Sequence, residues 1–184
     1  FIAYSCRKLT GKRYAFSTNT EIYLYDTKTG STELIEMGGG YDTDPQWSPD
    51  GKKLCWISME RDGYEADKQR LIVADVVIDE NVAPKIEGIR DVTVDFKYNV
   101  SSPVWSDDSK SIYFASLAEG IQGIFEAYEE AESWEVRRIT GEDLWYDFGS
   151  PFHIAKAENG DLTLYATWCS IDFPTELVAV SMTE

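Results

Sequence analysis

Between residues 60 and 70 the chain gathers the side chains most able to hold a charged ligand. Glu60, Asp62, Glu65 and Asp67 stand among Arg61, Lys68 and Arg70, with Tyr64 between them. A carboxylate such as Glu65 can take an ammonium group through a charge-assisted hydrogen bond. Arg61, Tyr64, Glu65 and Asp67 are therefore the candidate substrate-binding residues. The competing reading is a surface loop paired within itself, with Glu65 and Asp67 neutralising Arg61 and Arg70. The segment is longer than a hairpin turn needs, which singles it out under either reading.

Nucleophilic catalysis finds less support. The sequence holds one histidine, His153, and no Gly-x-Ser-x-Gly turn to expose a serine. A triad needs a base, an orienting acid and oxyanion donors around its nucleophile. No catalytic residue is assigned, and His153 reads as a structural residue of a strand. Asp107-Asp108-Ser109 lacks the spacing and the glycine of a calcium loop, so no metal site is expected. Cys6, Cys55 and Cys169 show neither metal-ligand nor redox spacing. Cys55 lies in an apolar strand pattern and reads as a buried thiol. No cofactor is expected.

The 184 residues carry a net charge of −16, which repels phosphate backbones and argues against nucleic acid as a partner. No apolar run is long enough to span a membrane as a helix. Hydrophobic residues make up 43% of the chain and aromatic ones 14%, enough to bury a core and suited to pleated surfaces.

The elements that must position these groups follow from a phrase that occurs twice. Pro45-Gln46-Trp47-Ser48-Pro49-Asp50-Gly51 runs into Lys52-Lys53-Leu54-Cys55-Trp56. Pro103-Val104-Trp105-Ser106-Asp107-Asp108-Ser109 runs into Lys110-Ser111-Ile112-Tyr113-Phe114. Self-similarity at such a period marks a repeat architecture. In each copy a strand ends in Trp-Ser, a tight turn follows, and a second strand leaves from a lysine. Pro49 presets φ for its turn and Gly51 supplies a positive φ, while Asp50 and Asp108 can bond nearby amides. Trp47 and Trp105 are expected to pack between neighbouring units, the alternative being an aromatic ligand platform. Pro45, Trp47, Asp50, Gly51, Pro103, Trp105 and Asp108 thus form the structural repeat set.

Third strands follow at Glu21–Asp26, Arg70–Asp75, Ile124–Tyr128 and Glu176–Val180. Fourth strands follow at Thr32–Ile35 and Trp134–Thr140, with a poorly defined one in 83–89. Four short strands per unit of about 40–60 residues is the signature of propeller blades. The stretch Phe125–Trp134 is the best helical candidate, but it falls where the repeat requires strands. The predicted fold is all-β. It is a partial β-propeller of about four four-stranded antiparallel blades, near 1–38, 41–89, 98–140 and 145–184, forming one domain over 1–184. Pro151 takes the place of Pro45 and Pro103 in the last blade. Phe1-Ile2-Ala3-Tyr4-Ser5 already reads as a strand, so the expectation is a piece of a longer protein, cut inside a blade at both ends. Its exposed blade faces should then self-associate, more so as salt screens the negative charge. Localisation is left open between periplasm and cytoplasm.

The repeat phrase resembles the propeller repeat shared by TolB and the prolyl oligopeptidase family of serine peptidases. Phe1 to Gly11 with Asn19 to Tyr25, and Ser58 to Lys68, are similar to the acylaminoacyl-peptidase and dipeptidyl peptidase V branch of that family. Ser170-Ile171-Asp172-Phe173-Pro174-Thr175-Glu176-Leu177 also resembles a passage of the family. The resemblance implies an α/β-hydrolase domain in the parent chain as partner, a peptide substrate, and a propeller that gates access or binds the substrate's amino terminus through acids. A TolB-like interaction module and a ligand-binding propeller without a catalytic domain are the other classes.

Overall fold

The computed structural model describes residues 1–37, 39–79, 82–131, 133–141, 147–150, 152–157, 159 and 161–182, with the backbone alone at 79, 82 and 83. Four antiparallel sheets hold its regular structure, apart from one short helix. The chain forms two compact units, Phe1–Asp95 and Phe96–Glu184, where the sequence suggests one domain.

In the first unit, β1 (Ile2–Cys6), β2 (Glu21–Tyr25) and β3 (Thr32–Ile35) make a three-stranded sheet in chain order, with a short helix α1 (Lys12–Phe16) between β1 and β2. Strands β4 (Tyr41–Trp47), β5 (Lys53–Met59), β6 (Arg70–Asp79) and β7 (Val82–Asp91) make a four-stranded meander. The segment 83–89, weakly patterned in sequence, is thus part of a strand that pairs with β6 through two register shifts. Leu54 to Met59 are buried without interruption. A strand covered on both faces needs a continuous apolar run, here Leu54 to Ile57, rather than alternation. Ile22, Leu24, Ile35, Leu54, Trp56 and Ile72 meet in the core of this unit.

In the second unit, β8 (Ser101–Trp105), β9 (Ser111–Ala118), β10 (Ile121–Glu130) and β11 (Ser133–Arg138) repeat the meander. The helix-like stretch from Phe125 therefore falls in β10 up to Glu130 and in β11 from Ser133, with a turn at Ala131. Phe125 pairs with Phe114 on one side and Arg138 on the other, and cross-strand contacts outweigh local propensity there. Phe114 and Phe125 stack at 5.7 Å, and Phe96 meets both rings edge-on at 5.4 and 5.0 Å.

The fourth sheet centres on β14 (Leu162–Cys169), with β15 (Glu176–Ser181) along one side. Short strands β12 (Asp147–Phe148) and β13 (His153–Lys156) pair with successive parts of the other side and act as one interrupted strand. The expected start of this blade at Trp145 and Tyr146, and its Pro151, lie outside the described residues. Gly149 is needed at the interruption, because a Cβ there would stand 2.2 Å from Thr167 Oγ1.

That interruption has counterparts. The register of β4 on β5 shifts between Thr43 and Gln46, and that of β8 on β9 between Ser101 and Val104. Asp44 and Ser102 both have φ 52°, and each immediately precedes a proline. Pro45 and Pro103 have no N–H to give to a ladder, so the bulge sits where pairing is already lost. No helix among the described residues is long and apolar enough to cross a membrane.

Candidate functional site

The two repeat turns have the same local chemistry. Ser48 Oγ donates to Asp50 Oδ1 at 2.6 Å, and the same oxygen accepts from Lys52 N at 3.0 Å. Ser106 Oγ donates to Asp108 Oδ1 at 2.7 Å, which accepts from Lys110 N at 3.2 Å. These bonds, the serine's first, hold both carboxyls below the usual carboxylate range. Gly51 at φ 71° and Ser109 at φ 61° fill the same left-handed position, which the glycine takes without strain. Asp50 and Asp108 are thus turn acceptors. Trp105 is 7% exposed, whereas Trp47 is half-buried against the first core.

Among the described residues no cluster of three or more His, Cys, Asp or Glu side chains could hold a metal ion. His153 is exposed on β13, its ring stacked near Tyr165 at 6.5 Å.

Two cavities differ in how their charges are used. The first, of about 460 Å³, lies in the second unit beside the Ser106–Ser111 turn. Its Glu126 is almost fully buried and accepts from Arg137 Nε at 2.8 Å, while Lys156 reaches Asp108 at 3.6 Å. Burial, with Glu126 alongside, pushes the Tyr113 phenol up. Each of these charges already has an opposite neighbour.

The second cavity, of about 300 Å³, belongs to the first unit. It lies where two loops of the same kind meet. One joins β5 to β6, and the other joins β1 to β2. Ser17 Oγ donates to Asp62 at 2.9 and 3.0 Å and ties the two together. Arg61, Tyr64 and Glu65 line the cavity from the first loop. Arg7 and Thr18 line it from the second, and Tyr41 and the buried Met59 complete it.

Asp67 anchors the β5–β6 loop. It accepts from Arg61 Nε at 3.1 Å, Nη2 at 2.9 Å and the Arg61 amide at 3.1 Å. The Arg61 side chain is the main reason its carboxyl is pulled down to about 2. Tyr64 stacks on the same guanidinium at 4.1 Å. Arg70 does not join this network: its Nη2 donates to Ser58 Oγ at 3.4 Å. It also lies near the buried Asp42, whose carboxyl burial pushes up while Ser58 and Arg70 oppose the shift. The expected internal pairing is therefore made by Arg61 and Asp67 alone. Glu65 has neither a hydrogen bond nor an ion pair with any described residue, and it faces the cavity.

Of the four candidate ligand residues, three line the cavity, and Asp67 supports it from outside. Arg7, Thr18, Tyr41 and Met59 were not singled out in the sequence. The available signal was positional: Arg7 directly follows β1 as Glu60 directly follows β5, so each loop leaves the end of a strand.

No family model matches the chain. Among curated proteins it is 43% identical over 149 residues to dipeptidyl-peptidase 5 of Porphyromonas gingivalis, covering 80% of this chain and 20% of that protein. It is 33% identical to the uncharacterized peptidase YuxL of Bacillus subtilis over 76% of this chain and 19% of that protein. The chain thus spans about a fifth of the length of these relatives. Among solved structures, a putative TolB of Agrobacterium tumefaciens aligns with TM-score 0.55 at 19% identity, over 90% of this chain and 57% of that one. A puromycin-hydrolyzing peptidase of Mycobacterium tuberculosis aligns with TM-score 0.52 at 16% identity, over 90% and 32%. These structures share the fold, and the curated relatives share the sequence. Blade-like sheets, the doubled Trp-Ser turn and the sequence likeness to two peptidases together make the chain a propeller segment of the prolyl oligopeptidase family, of the dipeptidyl-peptidase 5 kind.

Proposed function

We propose that this segment is the substrate-facing part of a serine peptidase that removes short units from free amino termini. In this reading an α/β-hydrolase domain of the parent chain supplies the catalytic groups, and the propeller segment admits and positions the peptide. The observation that carries it is Glu65, a carboxylate without a partner among the described residues in a cavity whose neighbouring acid is already committed to Arg61. A peptide ammonium group supplies N–H donors and the opposite charge to this exposed carboxylate. The ordered loop around Glu65 lowers the entropy lost on binding.

The test is titration of the chain with a short peptide whose amino terminus is free or acetylated. Acetylation and Glu65→Gln should each weaken binding by about 10–100-fold, from the roughly 1.5–3 kcal/mol of a hydrogen bond to a charged group. Equal affinity of the two peptides, or an unchanged affinity in Glu65→Gln, sinks the reading. A TolB-like interaction role would leave both comparisons flat.

A further inference from the structure

The same cavity holds a second charge without an opposite neighbour. Arg7 lines it, and no carboxylate among the described residues pairs with its guanidinium. The group is nonetheless held in place. Its Nε donates to the carbonyl of Asn19 at 3.2 Å and its Nη1 to that of Tyr14 at 3.3 Å, while the Tyr14 ring lies 5.1 Å from its Cζ. A guanidinium oriented by backbone carbonyls keeps its remaining N–H groups available in a fixed fork, the geometry that suits a carboxylate.

Arg7 and Glu65 thus place one positive and one negative group on the same small cavity, neither in an ion pair with a described residue. In the 460 Å³ cavity of the second unit, by contrast, Glu126 pairs with Arg137 and Asp108 with Lys156. At about 300 Å³, the cavity with Arg7 is at the lower end of the range for small-molecule sites, roughly 300–1,000 Å³. It suits a ligand of a few residues at most. Met59 and Tyr41 add an apolar wall and a ring to its lining.

We infer that the cavity takes free zwitterionic dipeptides or amino acids, with Glu65 on the ammonium group and Arg7 on the α-carboxylate. This rests on the assignment of Glu65 made above and extends it. A peptide longer than the cavity brings its amino terminus but no carboxylate, so it engages Glu65 only. A short free peptide engages both ends, and it therefore competes with substrate for the same place.

Calorimetric titration of the chain with alanyl-alanine, its C-terminal amide and its N-acetyl derivative tests this. The free dipeptide should bind at least tenfold tighter than either derivative. Arg7→Gln should bring the acid and the amide to equal affinity while keeping the preference for a free amine. Arg7→Lys, which keeps the positive charge, should retain part of the preference for the acid and guards against a loop merely loosened by the loss of Arg7. If the amide binds the unmodified chain as well as the acid, the inference about Arg7 fails, while weak binding of the acetylated form leaves Glu65 standing. If acetylation has no effect, the Glu65 reading fails and this inference fails with it. Absence of binding by all three at millimolar concentration overturns both.

Discussion

Replacing Phe114 by alanine should remove a large part of the stability of the second compact unit. Phe114 is 0% exposed and lies on β9 between β8 and β10. Its ring stacks on Phe125 and meets the edge of Phe96. Truncating such a side chain costs the transfer term and the cavity left behind, about 3–5 kcal/mol. Each ring pair contributes about 0.5–1.5 kcal/mol beyond its area, which places the expected loss in the upper half of that range. Single domains have about 0.05–0.15 kcal/mol of stability per residue, so a unit of this length has roughly 4–13 kcal/mol to lose. The assay is guanidinium denaturation followed by tryptophan fluorescence and far-ultraviolet circular dichroism. Leu117→Ala is the control. It stands on the same strand but is 61% exposed, and its change should stay within about 0.5 kcal/mol. A loss below about 1 kcal/mol for Phe114→Ala, or equal losses for the two variants, would refute the packing described for β9.

Acid should release the β5–β6 loop before it melts the sheets. Because Arg61 holds Asp67 at about 2 against 3.8 for a free aspartate, the pair's contribution is complete above pH 3.8 and is lost as pH falls toward 2. Amide exchange across 60–70 should speed up in that window relative to β5, and Asp67→Asn should show the faster exchange already at neutral pH. Identical exchange in the two proteins at pH 7 would contradict the anchoring role. Trp105→Ala should destabilise by about 3–5 kcal/mol and half-buried Trp47→Ala by less, measured by denaturant melts. The reverse order would show that the two turns are not packed as described.

What was legible in the sequence was what depends on neighbours along the chain. The Trp-Ser turns need an acceptor two residues after the serine and a residue tolerant of positive φ one further, and Asp50-Gly51 and Asp108-Ser109 supply both. Strands with a continuous apolar run, such as Leu54–Ile57 within β5, were equally plain. The remainder depended on contacts between elements. Trp47 and Trp105 occupy the same slot of the same phrase yet differ in burial, because the surface that covers each belongs to other strands. Arg70 looked like a partner for the loop acids, but its place at the start of β6 directs it to Ser58. Arg7 had nothing in its own segment to mark it. It became part of a site only when the β1–β2 loop met the β5–β6 loop across the Ser17–Asp62 contact.

The proline-flanked bulges bear on how such sheets avoid one another. β4 and β8 are the outermost strands of their sheets; Thr20 already takes the N–H and C=O of Asp42 on the outer side of β4, and the rest of each outer side is left over by its own ladder. A straight edge of that kind is a template for a foreign strand. Here Asp44-Pro45 and Ser102-Pro103 break the line halfway, and in the fourth sheet the line is broken after β12, at Gly149. An incoming strand can match only two or three residues before it meets a missing donor and a change of direction. In a chain made of successive antiparallel sheets, where one sheet could add to the wrong neighbour during folding, the bulge works as a stop that limits mispairing to lengths too short to persist.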